Sequence, residues 1–187
     1  MSRWEPGARE RLGGAALELY ASKGFEETTV AEIAQAVGLT ERTFFRYFTD
    51  KREVLFAGSE LLELRFVEGA TSAPKDATPL EVVTSAVTAS AEFFPDERRS
   101  YSRLRAKVID ANPALQEREL RKMSTLAAAL TAALTARGIS DLTAAVAAQT
   151  GVTVFRVSFA QWIAEGSERP MADIQRDVFA ELGALTV

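Results

Sequence analysis

The chain contains no cysteine and no histidine. The first absence excludes disulfide frameworks, thiolate zinc sites and cysteine nucleophiles. The second excludes serine–histidine triads, and it leaves acid–base chemistry to Asp, Glu, Lys or Tyr, none of which titrates naturally near neutrality. A metal would have to bind through oxygens alone, and no carboxylate cluster with loop spacing is present, so neither metal nor cofactor is expected. Alternating β-branched runs joined by Asn-Gly or Gly-Gly turns are also missing, which argues against sheets. No stretch reaches the roughly 18 uninterrupted apolar residues of a membrane span. Ser2, Arg3, Trp4, Glu5 and Pro6 are not followed by the apolar run of a signal peptide, so a cytoplasmic location without membrane partners is expected. Charge of one sign is lacking too: 22 basic and 26 acidic residues give a net −4. Such a balance does not coat nucleic acid, and any DNA contact must come from a local patch.

What is present is ordinary globular material, 47% apolar and 26% charged over 187 residues. That length suits one domain, or a module of about 50 residues joined to a larger one. Helix starts can be read from their caps. Thr29 with Glu32 and Thr78 with Glu81 spell capping boxes, in which each side chain satisfies a backbone N–H of the other residue. Asp50 before Glu53 follows the same logic, Asn112-Pro113 is a cap followed by proline, and Pro95 and Pro170 read as first-turn prolines. Gly24, Gly38, Gly138 and Gly166 fall where helices should stop. The pattern predicts about nine helices, near residues 5–23, 30–37, 41–47, 51–68, 79–94, 96–110, 113–137, 140–165 and 170–184, with a linker at 70–79. In the first, Leu12, Ala15, Ala16, Leu19 and Tyr20 form the inward stripe; in the second, Val30, Ile33, Ala34 and Val37.

Residues 28–52 carry the most information. A helix ends at Gly38, apolar Leu39 plugs the turn, and Thr40 caps a new helix. This is the layout of a helix-turn-helix. Phe44 and Phe48, four apart, point inward. Thr40, Arg42, Thr43, Phe45, Arg46 and Tyr47 are left on the outer surface. An arginine pairs bidentately with guanine in the major groove, and a threonine contacts phosphate or a thymine methyl. Lys51 and Arg52 add positive charge at the start of the next segment. The alternative is that Arg42 and Arg46 only solvate a helix face. Arg3, Arg9 and Arg11 form either a minor-groove arm or a solvated end.

From Ala8 to Leu55 the chain resembles the TetR-like bacterial transcriptional regulators. The resemblance is carried by Ala16-Leu17-Glu18-Leu19-Tyr20, Lys23-Gly24-Phe25-Glu26, Thr28-Thr29-Val30, Ile33-Ala34, Val37-Gly38-Leu39-Thr40, Thr43-Phe44-Phe45-Arg46-Tyr47-Phe48 and Asp50-Lys51. It implies an all-α fold: a three-helix helix-turn-helix domain at 1–50, then a helical bundle at 51–187 for effector binding and dimerisation. It implies that 41–47 is the recognition helix, that Thr29 touches phosphate, that Thr40, Arg42 and Thr43 contact bases or nearby phosphate, and that Lys51 binds phosphate. Two positions depart from the family pattern. Phe45 stands where many members carry tyrosine, and Arg42 where the residue is often small.

The same resemblance implies a homodimer that presents two recognition helices about one DNA turn apart, roughly 34–36 Å, to a near-palindromic operator in double-stranded DNA. The helix near 140–165 is apolar nearly all round, which calls for burial on two sides. Val146, Thr153 and Val157 on it, with Ile174, Val178 and Leu182 on the last helix, are the expected dimer interface. For a small-molecule effector the candidates are Tyr101, Arg105, Met123, Gln149, Phe155, Arg156, Phe159 and Trp162. Arg105 and Arg156 would meet an acidic ligand, pair with Asp110 or Glu119, or lie at the interface. The leading reading is a repressor released from its operator by the effector, and not an enzyme. The alternatives are a constitutive or partner-controlled DNA-binding protein, an activator, and, remotely, a carboxylate enzyme built on Asp110, Glu117 and Glu119. A cavity of about 300 Å³ or more in the bundle separates the first reading from the others.

Overall fold

The structure is a computed structural model that describes residues 7–185. Among these residues there are nine α-helices and no strand: α1 (Ala8–Lys23), α2 (Val30–Ala36), α3 (Glu41–Tyr47), α4 (Ser59–Ser72), α5 (Pro79–Ala89), α6 (Arg99–Asp110), α7 (Pro113–Ala136), α8 (Asp141–Trp162) and α9 (Met171–Ala184).

The chain divides into two compact units. One takes the described residues up to Ser59 together with Leu104–Glu119; the other takes Glu60–Arg103 and the residues from Leu120 onward. The first unit is therefore discontinuous in sequence, because the end of α6 and the start of α7 belong to it.

In the first unit α1 buries Leu12, Ala16, Leu17 and Tyr20, while Ala15 and Leu19 lie at the edge of the stripe. Ile33 and Ala34 of α2 and Phe44 of α3 are fully buried, and Phe48 joins them. Both capping boxes form as the sequence predicts. Gly38 has φ +71°, a left-handed conformation that a residue with a side chain rarely adopts, and it turns the chain between α2 and α3.

The helix expected at 51–68 is instead a 3₁₀ turn, Glu53–Phe56, followed by α4 from Ser59. Asp50 Oδ1 accepts from the backbone N–H groups of Arg52 and Glu53, at 2.8 and 3.2 Å, and starts the turn. Val54, Leu55 and Phe56 are all buried, and three consecutive inward residues do not suit a one-faced α-helix. Residues 104–119 wrap this turn. The guanidinium groups of Arg105 and Arg118 lie 4.9 and 4.6 Å from the Phe56 ring centre, and Arg105 Nε donates to the Leu55 carbonyl at 2.7 Å.

In the second unit α8 packs against α5 and α9. Gly151 marks the tightest approach, since a Cβ there would fall 2.6 Å from Val83 Cγ1. Further helix ends differ from the sequence reading. The helix expected at 79–94 ends at Ala89 and gives way to a 3₁₀ turn, Ser90–Phe93, with Ser90 Oγ donating to the Val87 carbonyl at 2.6 Å. α6 begins only at Arg99, after a 3₁₀ turn. α8 stops at Trp162, and two arginines of α6 bind carbonyls at and just past its end: Arg99 donates to Trp162 O at 3.1 Å, and Arg103 to Ile163 O and Ala164 O at 2.7 and 2.9 Å. Pro170 and Pro95 sit at the cap position just before their helical turns, one residue outside the first turn. The linker is shorter than 70–79, because α4 runs to Ser72. By length and composition α8 could cross a membrane; here its inner face is buried in the bundle.

Candidate nucleic-acid interface

Thr29 caps α2. Its hydroxyl accepts from the Glu32 N–H at 3.2 Å, while Glu32 Oε2 accepts from the Thr29 N–H at 2.8 Å. Lys23 Nζ reaches Glu32 Oε1 at 2.5 Å. The Lys23 bond, then the Thr29 backbone and hydroxyl bonds, hold the Glu32 carboxyl down to about 2. Thr40 caps α3 in the same way, its hydroxyl accepting from the Thr43 N–H at 3.2 Å and lying 3.1 Å from the Thr43 hydroxyl. Both threonines thus stand at helix starts with their backbones fixed.

The seven residues of α3 divide by face. Phe44 points inward; Glu41, Arg42, Phe45 and Arg46 are exposed, and Thr43 and Tyr47 are half-buried. Phe45 keeps 53% of its surface open while its ring edge meets Phe44 at 5.5 Å. An exposed phenylalanine on a polar face has lost apolar burial and is suited to a methyl or sugar surface. The two arginines differ. Arg46 Nη2 donates to the Tyr47 hydroxyl at 3.2 Å, and its guanidinium lies 5.1 Å from the Tyr47 ring centre. Arg42 extends from the same stripe, three residues before Phe45, and is exposed.

Lys51 is placed differently from what the resemblance implies. It is half-buried, and its ammonium donates to three backbone carbonyls, those of Phe25, Glu26 and Thr28. Of the candidate basic arm, Arg9 lies over Phe48 at 5.6 Å and Arg11 Nη1 donates to the Val37 carbonyl at 3.4 Å. Arg3 lies outside the described residues.

Two family models match this chain. One, described as bacterial regulatory proteins of the tetR family, covers residues 14–57, the span of the helix-turn-helix just described. The other, the MftR C-terminal domain, covers residues 77–186. The chain belongs to the tetR family of bacterial regulatory proteins. That family is one of transcriptional regulators.

Among tetR-family relatives, it is 37% identical over 81 residues to the HTH-type transcriptional regulator TcmR of Streptomyces glaucescens, covering 43% of this chain and 36% of TcmR. It is 29% identical over 105 residues to the regulator MftR of Mycobacterium tuberculosis, covering 56% of this chain and 52% of MftR. The matched stretches thus span only about a third to a half of those relatives. The crystal structure of the TetR-family repressor FadR of Thermus thermophilus, in complex with lauroyl-CoA, superposes with a TM-score of 0.53 at 24% identity over 93% of this chain and 92% of that one. This last likeness is one of fold.

The effector candidates of this tetR-family chain separate into three groups. Phe155, Phe159 and Trp162 come together with Phe94 and Phe66 in one aromatic cluster, with ring centres 5.4 to 6.1 Å apart. Met123 is buried in the same core and Tyr101 is half-buried. Gln149 and Arg156 lie on the exposed face of α8, away from that core. Arg105 belongs to the first unit, where its Nη2 meets Glu119 Oε2 at 2.9 Å. That bond also occupies one of the three carboxylates considered for an enzyme, and no group of three acidic residues able to hold a metal occurs among the described residues.

Sequence reasoning named Trp162 but missed two other buried polar residues of the second unit, Ser158 and Gln175. Ser158 Oγ, Trp162 Nε1 and Gln175 Oε1 are buried without a hydrogen-bond partner. The Gln175 orientation is fixed by its neighbour: Ser90 spends its proton on Val87 O, so it accepts from Gln175 Nε2 at 3.2 Å and leaves the amide oxygen free. A groove of about 340 Å³ is open at the surface between the starts of α5 and α8, lined by Leu80, Leu142 and Val146 among others, and none of the effector candidates lines it.

On the outer side of α8, Leu142 is 78%, Val146 61% and Val157 43% exposed, and Thr153 is exposed between them. Val178 and Leu182 of α9 are half-buried. Ile174 is buried inside its own bundle and does not face outward.

Proposed function

We propose that this tetR-family regulator is a cytoplasmic homodimeric repressor, released from a near-palindromic operator by a small-molecule effector held among Phe94, Phe155, Phe159 and Trp162. The observation that carries the effector reading is the set of unpartnered polar atoms in an otherwise apolar core. Leaving a buried donor or acceptor unsatisfied costs about 1–3 kcal/mol, so each asks for a partner.

Ser158 and Trp162 lie on α8 and Gln175 on α9. α8 ends at Trp162 and α9 begins at Met171, joined by a short connection that makes them antiparallel neighbours. Ser158 lies four residues before the first end and Gln175 four residues after the second, about 6 Å along each axis. Trp162 offers a donor, Gln175 an acceptor and Ser158 either. Arg99, the buried charge of this unit, is already paired with Asp96. A neutral molecule with an apolar body and a hydroxyl or amide group suits these atoms. FadR of Thermus thermophilus holds lauroyl-CoA on a similar fold.

The dimer reading rests on the open apolar stripe of α8, Leu142, Val146 and Val157, which water solvates poorly. On the DNA, Arg42 reads a base edge, Phe45 meets a thymine methyl, and Thr29, Thr40, Thr43, Arg46 and Tyr47 hold phosphates.

The test is to mix the purified protein with sheared genomic DNA and sequence what is retained at moderate salt. One or a few near-palindromic sites are expected. Sedimentation of the complex should give two chains per site. Mass spectrometry of the denatured protein should find any co-purified neutral molecule, and adding it should release the DNA. Retention of bulk DNA without enrichment overturns the operator reading. A single chain per site overturns the dimer.

A further inference from the structure

Lys51 lies four residues beyond the end of α3, next to Asp50. Its ammonium group has three protons and no lone pair. The carbonyl oxygens of Phe25, Glu26 and Thr28 stand 2.8, 3.0 and 3.1 Å from Nζ, one acceptor for each proton. The Phe25 ring lies below it, with the centre 4.5 Å from Nζ. The backbone of the same residue is tied as well, because the Tyr20 hydroxyl donates to the Lys51 carbonyl at 2.6 Å. The Tyr20 and Phe25 rings meet edge to face at 5.1 Å. Tip and base of Lys51 are therefore both fixed, one against the turn at 25–28 and the other against α1.

That turn leads directly into Thr29, the cap of α2. Apart from Lys51, it is held by Thr28, whose hydroxyl donates to Gly24 O at 2.7 Å and whose N–H reaches Phe25 O at 3.4 Å, and by Asn112, whose Nδ2 donates to Glu26 Oε1 at 3.2 Å. A phosphate oxygen could take the ammonium only by displacing a carbonyl, which would then be left without its donor.

We propose that Lys51 serves operator binding as a positioning residue: its ammonium fastens the 25–28 turn, and through it Thr29 and α2, and does not itself meet a phosphate. The proposal rests on the DNA-facing role of α2 and α3.

Salt separates the two roles. Removing a side chain that meets a phosphate reduces the slope of log affinity against log salt by about one, while removing a positioning residue leaves that slope alone. Arginine separates them again. Its planar fork serves a phosphate well, but its donors diverge and cannot converge on three carbonyls around one point. The probe is a short duplex selected from a random-sequence pool by the unaltered protein. Lys51→Met and Lys51→Arg should both bind it about tenfold more weakly, as expected for about one missing charged hydrogen bond, and the Met variant should keep the native salt slope. A slope reduced by about one in Lys51→Met, with native affinity in Lys51→Arg, overturns the proposal.

A second measurement uses the unaltered protein without DNA and does not depend on either variant folding. Acetylation of Lys51 by an activated ester should run more than about tenfold slower than that of exposed Lys75 and Lys107. Equal rates overturn the proposal. Failure to select any duplex refutes the DNA reading of α2 and α3, whereas the acetylation rates refute or uphold the clamp itself.

Discussion

Glu53 and Arg118, 65 residues apart in sequence, meet side by side: Nε to Oε1 at 2.6 Å and Nη2 to Oε2 at 2.9 Å. Both side chains are less than a third exposed, and the Phe56 ring lies against the same guanidinium. A bidentate pair of this kind is worth more than an open surface pair. A double-mutant cycle on Glu53→Gln and Arg118→Met should give a coupling of about 1–2 kcal/mol by urea unfolding. Arg118→Lys should recover little of it, since an ammonium cannot present two parallel donors. A coupling near zero would show the pair to be ornamental.

Acid should loosen the start of α2. The Glu32 carboxyl is lowered from 4.5 to about 2 by Lys23 and by the Thr29 bonds. A lowered folded-state value means that the stabilisation is complete above about 4.5 and is lost as the pH falls towards about 2. Carboxyl ¹³C titration by NMR should find the Glu32 midpoint well below those of the other glutamates. Lys23→Met should move it upward, and added salt should act in the same direction. A midpoint at the ordinary glutamate value would refute the capping box.

Gly151→Ala should destabilise the second unit. Alanine gains about 1 kcal/mol in helix propensity over glycine, but the new methyl would lie 2.6 Å from Val83 Cγ1 and 3.3 Å from Leu130 Cδ2. Val83 is stiff and fully buried, so it cannot swing aside. Overpacking costs about 1–3 kcal/mol and should win by roughly 1 kcal/mol. Val83→Ala should make room for the added methyl, so the double variant should be more stable than the sum of the two single changes allows. Gly14→Ala in α1, where a Cβ meets nothing within 4 Å, is the control and should be neutral or stabilising.

The two arginines of α3 should fail differently. Arg42→Ala should relax the preference at one base pair by about 1–3 kcal/mol, measured by competition among duplexes substituted one position at a time. Arg46, held against Tyr47, should on substitution weaken all duplexes alike and lower the salt slope by about one. An unchanged base preference in Arg42→Ala would remove it as a reader.

Local chemistry was readable from the sequence. Thr29 with Glu32, Thr78 with Glu81, and Asn112 before Pro113 announce helix starts because each cap acts within three residues. The inward Phe44 and outward Arg42 follow from helical periodicity for the same reason. Features that depend on distant partners were hidden. Val54, Leu55 and Phe56 read as part of a helix until Arg105 and Arg118 surround them. Lys51 reads as a free cation until three carbonyls converge on it, and backbone groups leave no mark in a sequence. Gln175 drew no attention in a polar-looking stretch, although its burial beside Ser90 and unpartnered oxygen make it the most telling amide in the second unit. A polar residue flanked by Ile174 and Val178 on an otherwise apolar helix face was the available signal.

The discontinuity of the first unit bears on how such a regulator can be rebuilt. A chimera joined after Ser59 would carry α1 to α3 and the Glu53–Phe56 turn, but it would leave behind Arg105, Asn112, Arg118 and the rest of 104–119. Glu53 would lose its fork, Phe56 its two cations, and Glu26 its amide partner Asn112. The portable module is thus two pieces of chain, and grafting this reader onto another bundle requires transplanting the distant sixteen residues with it.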